Sequence, residues 1–178
     1  DPGFNLVRAA HAAGVTVVPV PGACAAIAAL SVSGLPTDRF LFEGFPPVKH
    51  AARVSHFEGL RQETRTLIFY ESSHRLVESL TDMAAVFGPQ RPAVLARELT
   101  KLHEEMLVGT PVEVASALSA PRGEFTLVVS GLDTLSRCSS LRRRTLAPAQ
   151  PEAHAPPSVV RRLPARPVSD NFAEGYSV

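Results

Sequence analysis

Four short segments hold the polar residues with which this sequence could do chemistry, and each adjoins an apolar run. Pro21-Gly22-Ala23-Cys24-Ala25 sets a glycine and small side chains ahead of an alanine-rich stretch, where a flat ligand could approach free backbone amides at a helix start. Tyr70-Glu71-Ser72-Ser73-His74-Arg75 gathers a ring, a carboxylate, two hydroxyls, an imidazole and a guanidinium in consecutive positions. Ala96-Arg97-Glu98-Leu99-Thr100-Lys101 passes from an apolar run into alternating charge. Arg122-Gly123-Glu124-Phe125-Thr126 joins a glycine that permits close backbone approach to a carboxylate able to accept from a ligand amine. Each segment also has an ordinary reading: a tight turn, a helix cap with solvated charges, a hairpin with surface ion pairs, the entry to a strand.

Other chemistries leave no trace. There is no Walker loop, Gly-x-Gly-x-x-Gly, His-Glu-x-x-His or nucleophile elbow, which excludes the simple hydrolase and kinase signatures. Cys24 and Cys138 lie far apart with no His or Cys at metal-ligand spacing, so they read as buried or idle thiols and suit a reducing compartment. His11, His50, His56 and His103 likewise have no spacing partners and read as surface or packing residues.

The elements that must position these segments alternate. Asp1-Pro2 starts a helix with Phe4, Leu6, Val7 and Ala10 on its apolar face, ending at Gly14. Residues 15–20 read as a buried strand, Pro21-Gly22 as a sharp turn, and 23–30 as a small-residue helix that stops near Gly34. A domain boundary is expected at 34–38. Strands then follow at 39–44 and 65–71, with a helix through Leu60 between them that carries Lys49, Arg53 and Arg61. Ser72 or Ser73 is expected to cap a helix with the stripe Leu76, Leu80, Met83, Ala84 and Phe87, ended by Gly88-Pro89. A short strand at 93–97, a hairpin partner at 105–108, a helix at 112–118 and a last strand at 124–130 complete an α/β pattern. Polar residues just beyond apolar strands mark the places where open α/β sheets build their clefts.

Composition sets the outer limits. The 178 residues, 45% of them hydrophobic, suit one ordinary domain or two small ones, and no run approaches a membrane span. The net charge of +1 hides two unlike parts: residues 1–133 hold 11 Lys or Arg against 14 Asp or Glu, whereas 134–178 hold 7 against 3. That second part has six prolines and no sustained periodicity, and is expected to be disordered. The chain begins without methionine or a secretory leader and reads as a piece of a longer protein.

Taken together, five ordered blocks resemble the ribosomal RNA small subunit methyltransferase I family, an S-adenosylmethionine-dependent branch of the tetrapyrrole methylases. They are Asp1-Pro-Gly3, the run from Val18 to Ile27, Ser33 to Phe40 with Glu43-Gly-Phe45, Arg65 to Arg75, and Val94 to Lys101 with Gly123-Glu124. The resemblance implies a tetrapyrrole-methylase-like α/β fold: the end of a first domain at 1–34, a complete second domain with a mixed sheet at 35–132, and a disordered tail at 133–178. It implies a cytoplasmic homodimer that binds no metal or membrane and methylates a cytidine ribose 2′-hydroxyl in 16S ribosomal RNA of the small subunit. Carried over by motif, S-adenosylmethionine would touch Pro21, Gly22, Cys24 and Ala25 from the first domain, and Phe69, Tyr70, Ala96, Arg97, Gly123, Glu124 and Phe125 from the second.

For such a reaction a ribose oxygen attacks a methyl carbon on a sulfonium, so alignment, exclusion of water and removal of one proton are the requirements. Glu71, Glu98 and Lys101 are the candidate bases, and Lys49, Arg53, His74 and Arg75 the candidate RNA contacts, with Arg97 a further phosphate ligand. The family's first domain begins well upstream of Asp1, so residues 1–178 alone are expected to bind cofactor weakly or not at all. Pro46 and Leu102-His103 depart from the family's usual residues, and the tail looks unrelated to it. Two other readings stay open: methylation of a tetrapyrrole on the same fold, and a non-catalytic dimerisation or RNA-docking remnant.

Overall fold

The computed structural model describes residues 3–118, 122–132 and 161–163. In chain order they form helices α1 (Gly3–Ala12) and α2 (Ala25–Val32), strand β1 (Phe40–Gly44), α3 (His50–Leu60), β2 (Thr66–Ser72), α4 (Leu76–Phe87), β3 (Ala93–Arg97), β4 (Glu105–Gly109), α5 (Pro111–Ala117), β5 (Glu124–Val129) and β6 (Arg161–Leu163). The strands make one mixed sheet in the order β1-β2-β5-β3-β4-β6. β1 and β2 run parallel across the α3 crossover, β3 and β4 form an antiparallel hairpin, and β5 slots between β2 and β3, antiparallel to both. The carboxyl ends of β1, β2 and β3 therefore meet the amino end of β5 along one edge of the sheet.

Strand alternation divides the core in two. Leu67 and Phe69 of β2, Leu95 of β3, Leu107 of β4 and Leu127 of β5 point to one face and pack with Phe57 of α3, Leu76, Leu80 and Met83 of α4, and Val114 of α5. Ile68, Val94, Ala96, Met106 and Val128 point to the other face, where Ala26, Ala29 and Leu30 of α2 cover them. Full burial of each large side chain contributes roughly 1.5–3 kcal/mol. Leu76, Leu80, Met83 and Phe87 recur at helical spacing on the buried side of α4, which is why the sequence folds that way locally. Thr110 and Glu113 close a capping box around Pro111 and start α5.

Two expectations are corrected. Residues 15–20 form no strand, and Val18 and Val20 are 73% and 90% exposed, because no neighbouring strand among the described residues takes their backbone hydrogen bonds. α4 is preceded by Arg75 without a side-chain cap, the Ser72 hydroxyl instead accepting from Arg75 Nε. Of the tail at 133–178 only β6, paired with β4, is described; the rest of that expectation lies outside the described residues.

The turn into β2 carries an acid-sensitive contact. Glu63 accepts from the Arg65 guanidinium at 2.8 and 2.7 Å and from the amides of Thr64 and Arg65 at 2.9 Å. The Arg65 side chain, then its amide, hold the Glu63 carboxyl down from 4.5 to about 2. A carboxyl lowered on folding stabilises the fold above its unfolded value and loses that contribution as pH falls through the folded one. Between pH 5 and pH 2 the protein should therefore lose more stability than its Glu63→Gln variant, by on the order of 1 kcal/mol after solvent screening. Urea unfolding at the two pH values measures this.

Candidate cofactor cleft

A cavity of about 500 Å³ opens at the edge where β1 and β2 end and β5 begins, on the α2 side of the sheet. Tyr70 and Thr126, partners in the β2–β5 register, line it together, and Ala25 closes it from the first turn of α2. Phe45 stands at its rim, 61% exposed, just beyond the left-handed Gly44 that ends β1. Its ring centroid is 5.7 Å from that of Tyr70, which in turn meets Phe42 edge-on at 5.0 Å. Ser72, Ser73, Gly123 and Glu124 complete the wall. An apolar cavity with two aromatic rings and a few polar groups at its edge suits a small, flat, partly polar molecule.

The Tyr70 hydroxyl accepts from the Ala26 amide at 3.3 Å, tying the floor of the cleft to α2. Burial pushes the Tyr70 phenol up, and the neighbouring Cys24 adds to the effect. Cys24, exposed at the N-cap of α2, has its thiol held below the ordinary range by the Ile27 amide, against the opposing effect of burial and with help from the Ala26 amide and Tyr70.

Of the residues singled out by motif, the structure brings Ala25, Tyr70, Gly123 and Glu124 together around the cavity. Pro21 and Gly22 are exposed ahead of α2, and neither lines the cavity. Phe69 points into the opposite core against Phe57 at a centroid distance of 5.7 Å, and Ala96 is buried beneath α2. Phe125 borders the cavity while its ring belongs to the helix-side core. Arg97 does not line the cavity: it donates to the Arg122 carbonyl at 2.7 Å and pairs with Glu105 at 3.4 Å.

The base and phosphate candidates fare differently. Glu71 also borders the cavity, but its carboxylate is fully buried and accepts from Ser79 Oγ at 2.6 Å, the Ser72 amide at 2.7 Å and Arg75 at 3.0 Å, so it serves the start of α4. Arg75 accordingly spends its guanidinium on Glu71, Ser72 Oγ and the Pro46 carbonyl. Arg53 is buried against Asp82 at 2.7 Å, which removes it as a phosphate ligand. Lys49 and His74 are exposed. Glu98 and Lys101 do not line the cavity; they pair with each other at 3.2 Å, and Lys101 pairs at 3.0 Å with Glu124, which does line it. Among the described residues no cluster of His, Cys, Asp or Glu is arranged to hold a metal ion, and no helix is long and apolar enough to cross a membrane.

Ser72, Ser73 and Thr126 stand in the segments singled out for chemistry and Phe45 in a family block, but none of the four was assigned a role in the site. Period-two alternation from Tyr70 reaches Ser72, but Thr126 joins them only through the antiparallel register Tyr70↔Thr126.

Comparisons with known proteins agree with this architecture. The chain is 50% identical over 169 residues to the ribosomal RNA small subunit methyltransferase I of Xylella fastidiosa (strain Temecula1), a match covering 93% of this chain and 62% of that protein. It is 56% identical over 135 residues to the protein of the same name from Pseudomonas aeruginosa, covering 74% and 48%. The chain thus spans about half to three-fifths of the length of these relatives. Coverage of 93% extends past residue 133, so the tail is not foreign to the Xylella protein, contrary to the expectation from its composition. Among solved structures, the fold resembles the methyltransferase CobJ, with a TM-score of 0.55 and 19% identity over 74% of this chain and 62% of that one. It also resembles uroporphyrin-III-C-methyltransferase from Thermus thermophilus, with a TM-score of 0.54 and 21% identity over 77% and 61%. The family model described as Tetrapyrrole (Corrin/Porphyrin) Methylases matches residues 1–115. With the motifs, the mixed sheet and that match in agreement, the chain belongs to the tetrapyrrole methylase family.

Proposed function

We propose that this chain supplies one wall of an S-adenosylmethionine site in an enzyme that methylates the ribose 2′-hydroxyl of a cytidine in 16S ribosomal RNA. The observation that carries the reading is 50–56% identity to proteins named ribosomal RNA small subunit methyltransferase I. The cleft fits such a cofactor: its volume is of the right size for a small ligand, and Tyr70 and Phe45 offer ring faces to a purine. When bound, S-adenosylmethionine supplies a methyl carbon on a positively charged sulfur, which a ribose oxygen takes in one displacement that leaves a neutral thioether and releases the hydroxyl proton.

Because charge is lost in that displacement, an apolar cleft is chemically adequate and no oxyanion-stabilising site is needed. The work of this chain's residues is binding and orientation. Tyr70, held by the Ala26 amide, fixes the floor; Gly123 and Glu124 form the wall; of the four candidate RNA contacts, Lys49 and His74 are the exposed ones. Glu71 is not the base in this reading, since its buried carboxylate already accepts from the Ser72 amide, Arg75 and Ser79 Oγ.

The test joins residues 1–178 behind the preceding segment of the Xylella relative and supplies labelled S-adenosylmethionine with unmethylated small subunits. Label recovered as 2′-O-methylcytidine supports the reading. Label appearing in uroporphyrinogen and not in RNA overturns it in favour of tetrapyrrole methylation, and salt-sensitive RNA binding with no methyl transfer favours a docking role. Residues 1–178 alone are expected to bind the cofactor far more weakly than the joined protein, measured by calorimetry.

A further inference from the structure

The loop after β3 contains the two residues outside glycine that take left-handed backbone geometry among the described residues, Glu98 at φ 48° and Thr100 at φ 65°. Such conformations cost free energy for ordinary side chains and persist where surrounding contacts over-determine them. Here the contacts are explicit. The Glu98 amide donates to the Glu124 carbonyl at 3.0 Å, and Glu98 Oε1 accepts from the Glu124 amide at 2.8 Å. Lys101 Nζ bridges Glu98 Oε1 at 3.2 Å and Glu124 Oε2 at 3.0 Å, while Arg97 Nε holds the Arg122 carbonyl at 2.7 Å. The backbone is thus gripped on both sides of Gly123, at Arg122 and at Glu124, by a loop about 25 residues away in sequence.

Gly123 between those grips has φ 105°, and a Cβ there would lie 2.6 Å from Glu98 Oε1, so the glycine is what lets the carboxylate reach the Glu124 amide. Surface ion pairs of this kind add little stability, and Lys101 is half exposed, so stability does not account for the strained arrangement. What it holds is the wall of the cleft, which Gly123 and Glu124 line. The Glu124 amide bond, then Lys101, hold the Glu98 carboxyl below its usual range, consistent with an acceptor kept ionised.

We propose that Glu98 is a positioning residue: its carboxylate clasps the Gly123–Glu124 backbone in the geometry the methyl-donor cofactor requires, with Lys101 as the brace. This inference rests on the functional reading above for the identity of the ligand, not for the clasp itself.

Two measurements separate them. Amide hydrogen exchange in residues 1–178 reads the clasp directly: Glu98→Gly, which keeps the left-handed backbone without strain, should speed exchange at Glu124 about tenfold or more, and Glu98→Gln, which retains the accepting oxygen, should largely preserve protection. In the joined protein, Glu98→Gly should raise KM for S-adenosylmethionine about tenfold with a much smaller change in kcat, with recovery in Glu98→Gln. Gly123→Ala should reproduce the Glu98→Gly effects, since the methyl group occupies the carboxylate's place. Unchanged Glu124 protection in Glu98→Gly overturns the clasp. Lost protection with unchanged KM overturns its tie to the cofactor, as does a hundredfold fall in kcat at unchanged KM, which would make Glu98 a base. A joined protein that binds no S-adenosylmethionine while Glu124 stays protected in residues 1–178 overturns the functional reading and the positioning role together, leaving the clasp.

Discussion

Arg53→Ala should destabilise the protein by about 3 kcal/mol, roughly 10 °C in Tm, the largest loss from any single charged side chain described above. The guanidinium is buried, its side chain only 2% exposed, and donates to Asp82 Oδ2 at 2.7 Å, Glu78 at 3.3 Å and the Val48 carbonyl at 3.3 Å. Truncation leaves the Asp82 carboxylate, 10% exposed, with the solvent-facing His50 at 3.2 Å as its remaining ion-pair partner among the described residues. An uncompensated buried charge costs far more than an ion pair yields, so the loss should exceed that of Lys49→Ala at the exposed start of the same helix, which should lie within about 0.5 kcal/mol of zero. Replacing both partners, Arg53→Met with Asp82→Leu, should recover most of the stability because the desolvation penalty disappears with the charges. Thermal and urea unfolding of the three variants measure this. Equal stability of Arg53→Ala and the parent would return Arg53 to the pool of surface cations available to a nucleic acid.

Glu71→Ala is expected to cost nearly as much, about 3 kcal/mol, since it strands Arg75 and the buried Ser79 hydroxyl together. Glu71→Gln is the informative variant. An amide oxygen still accepts from Ser79 or the Ser72 amide, so the loss should fall to about 1–2 kcal/mol. In the joined protein its methyl transfer at saturating substrates should stay within about threefold of the parent, whereas removal of a general base costs about 10²–10⁴. A folded Glu71→Gln protein slowed a hundredfold, with its pH profile flattened, would restore Glu71 as the base.

These two residues show where sequence was legible and where it was not. Lys49, Arg53 and Arg61 read as a basic helix, and nothing local says that one of the three turns inward; that depends on Asp82, which arrives 29 positions later on α4. Glu71 was more readable than it looked. It shares strand parity with Leu67 and Phe69, so alternation alone sets it on the face away from Tyr70. The same parity removes the Phe69 ring from the cleft. Residues 15–20 have a strand's composition, yet a strand is a relation between segments, and none of the described ones pairs with it.

What this sequence determined by itself was the succession of elements from α2 to β5, because apolar periodicity, glycine and proline act within a few residues of where they stand. It also determined the family, since ordered motifs survive without any knowledge of contacts. The tertiary structure alone decided which motif residues meet. Tyr70 and Thr126 become a floor only through antiparallel register, and Glu98 reaches Gly123 and Glu124 only because β5 inserts between β2 and β3. Hydrogen bonds and ion pairs reach a few ångströms through space and are blind to distance along the chain, so the cleft, its clasp and the buried charges became readable only once the sheet order was known.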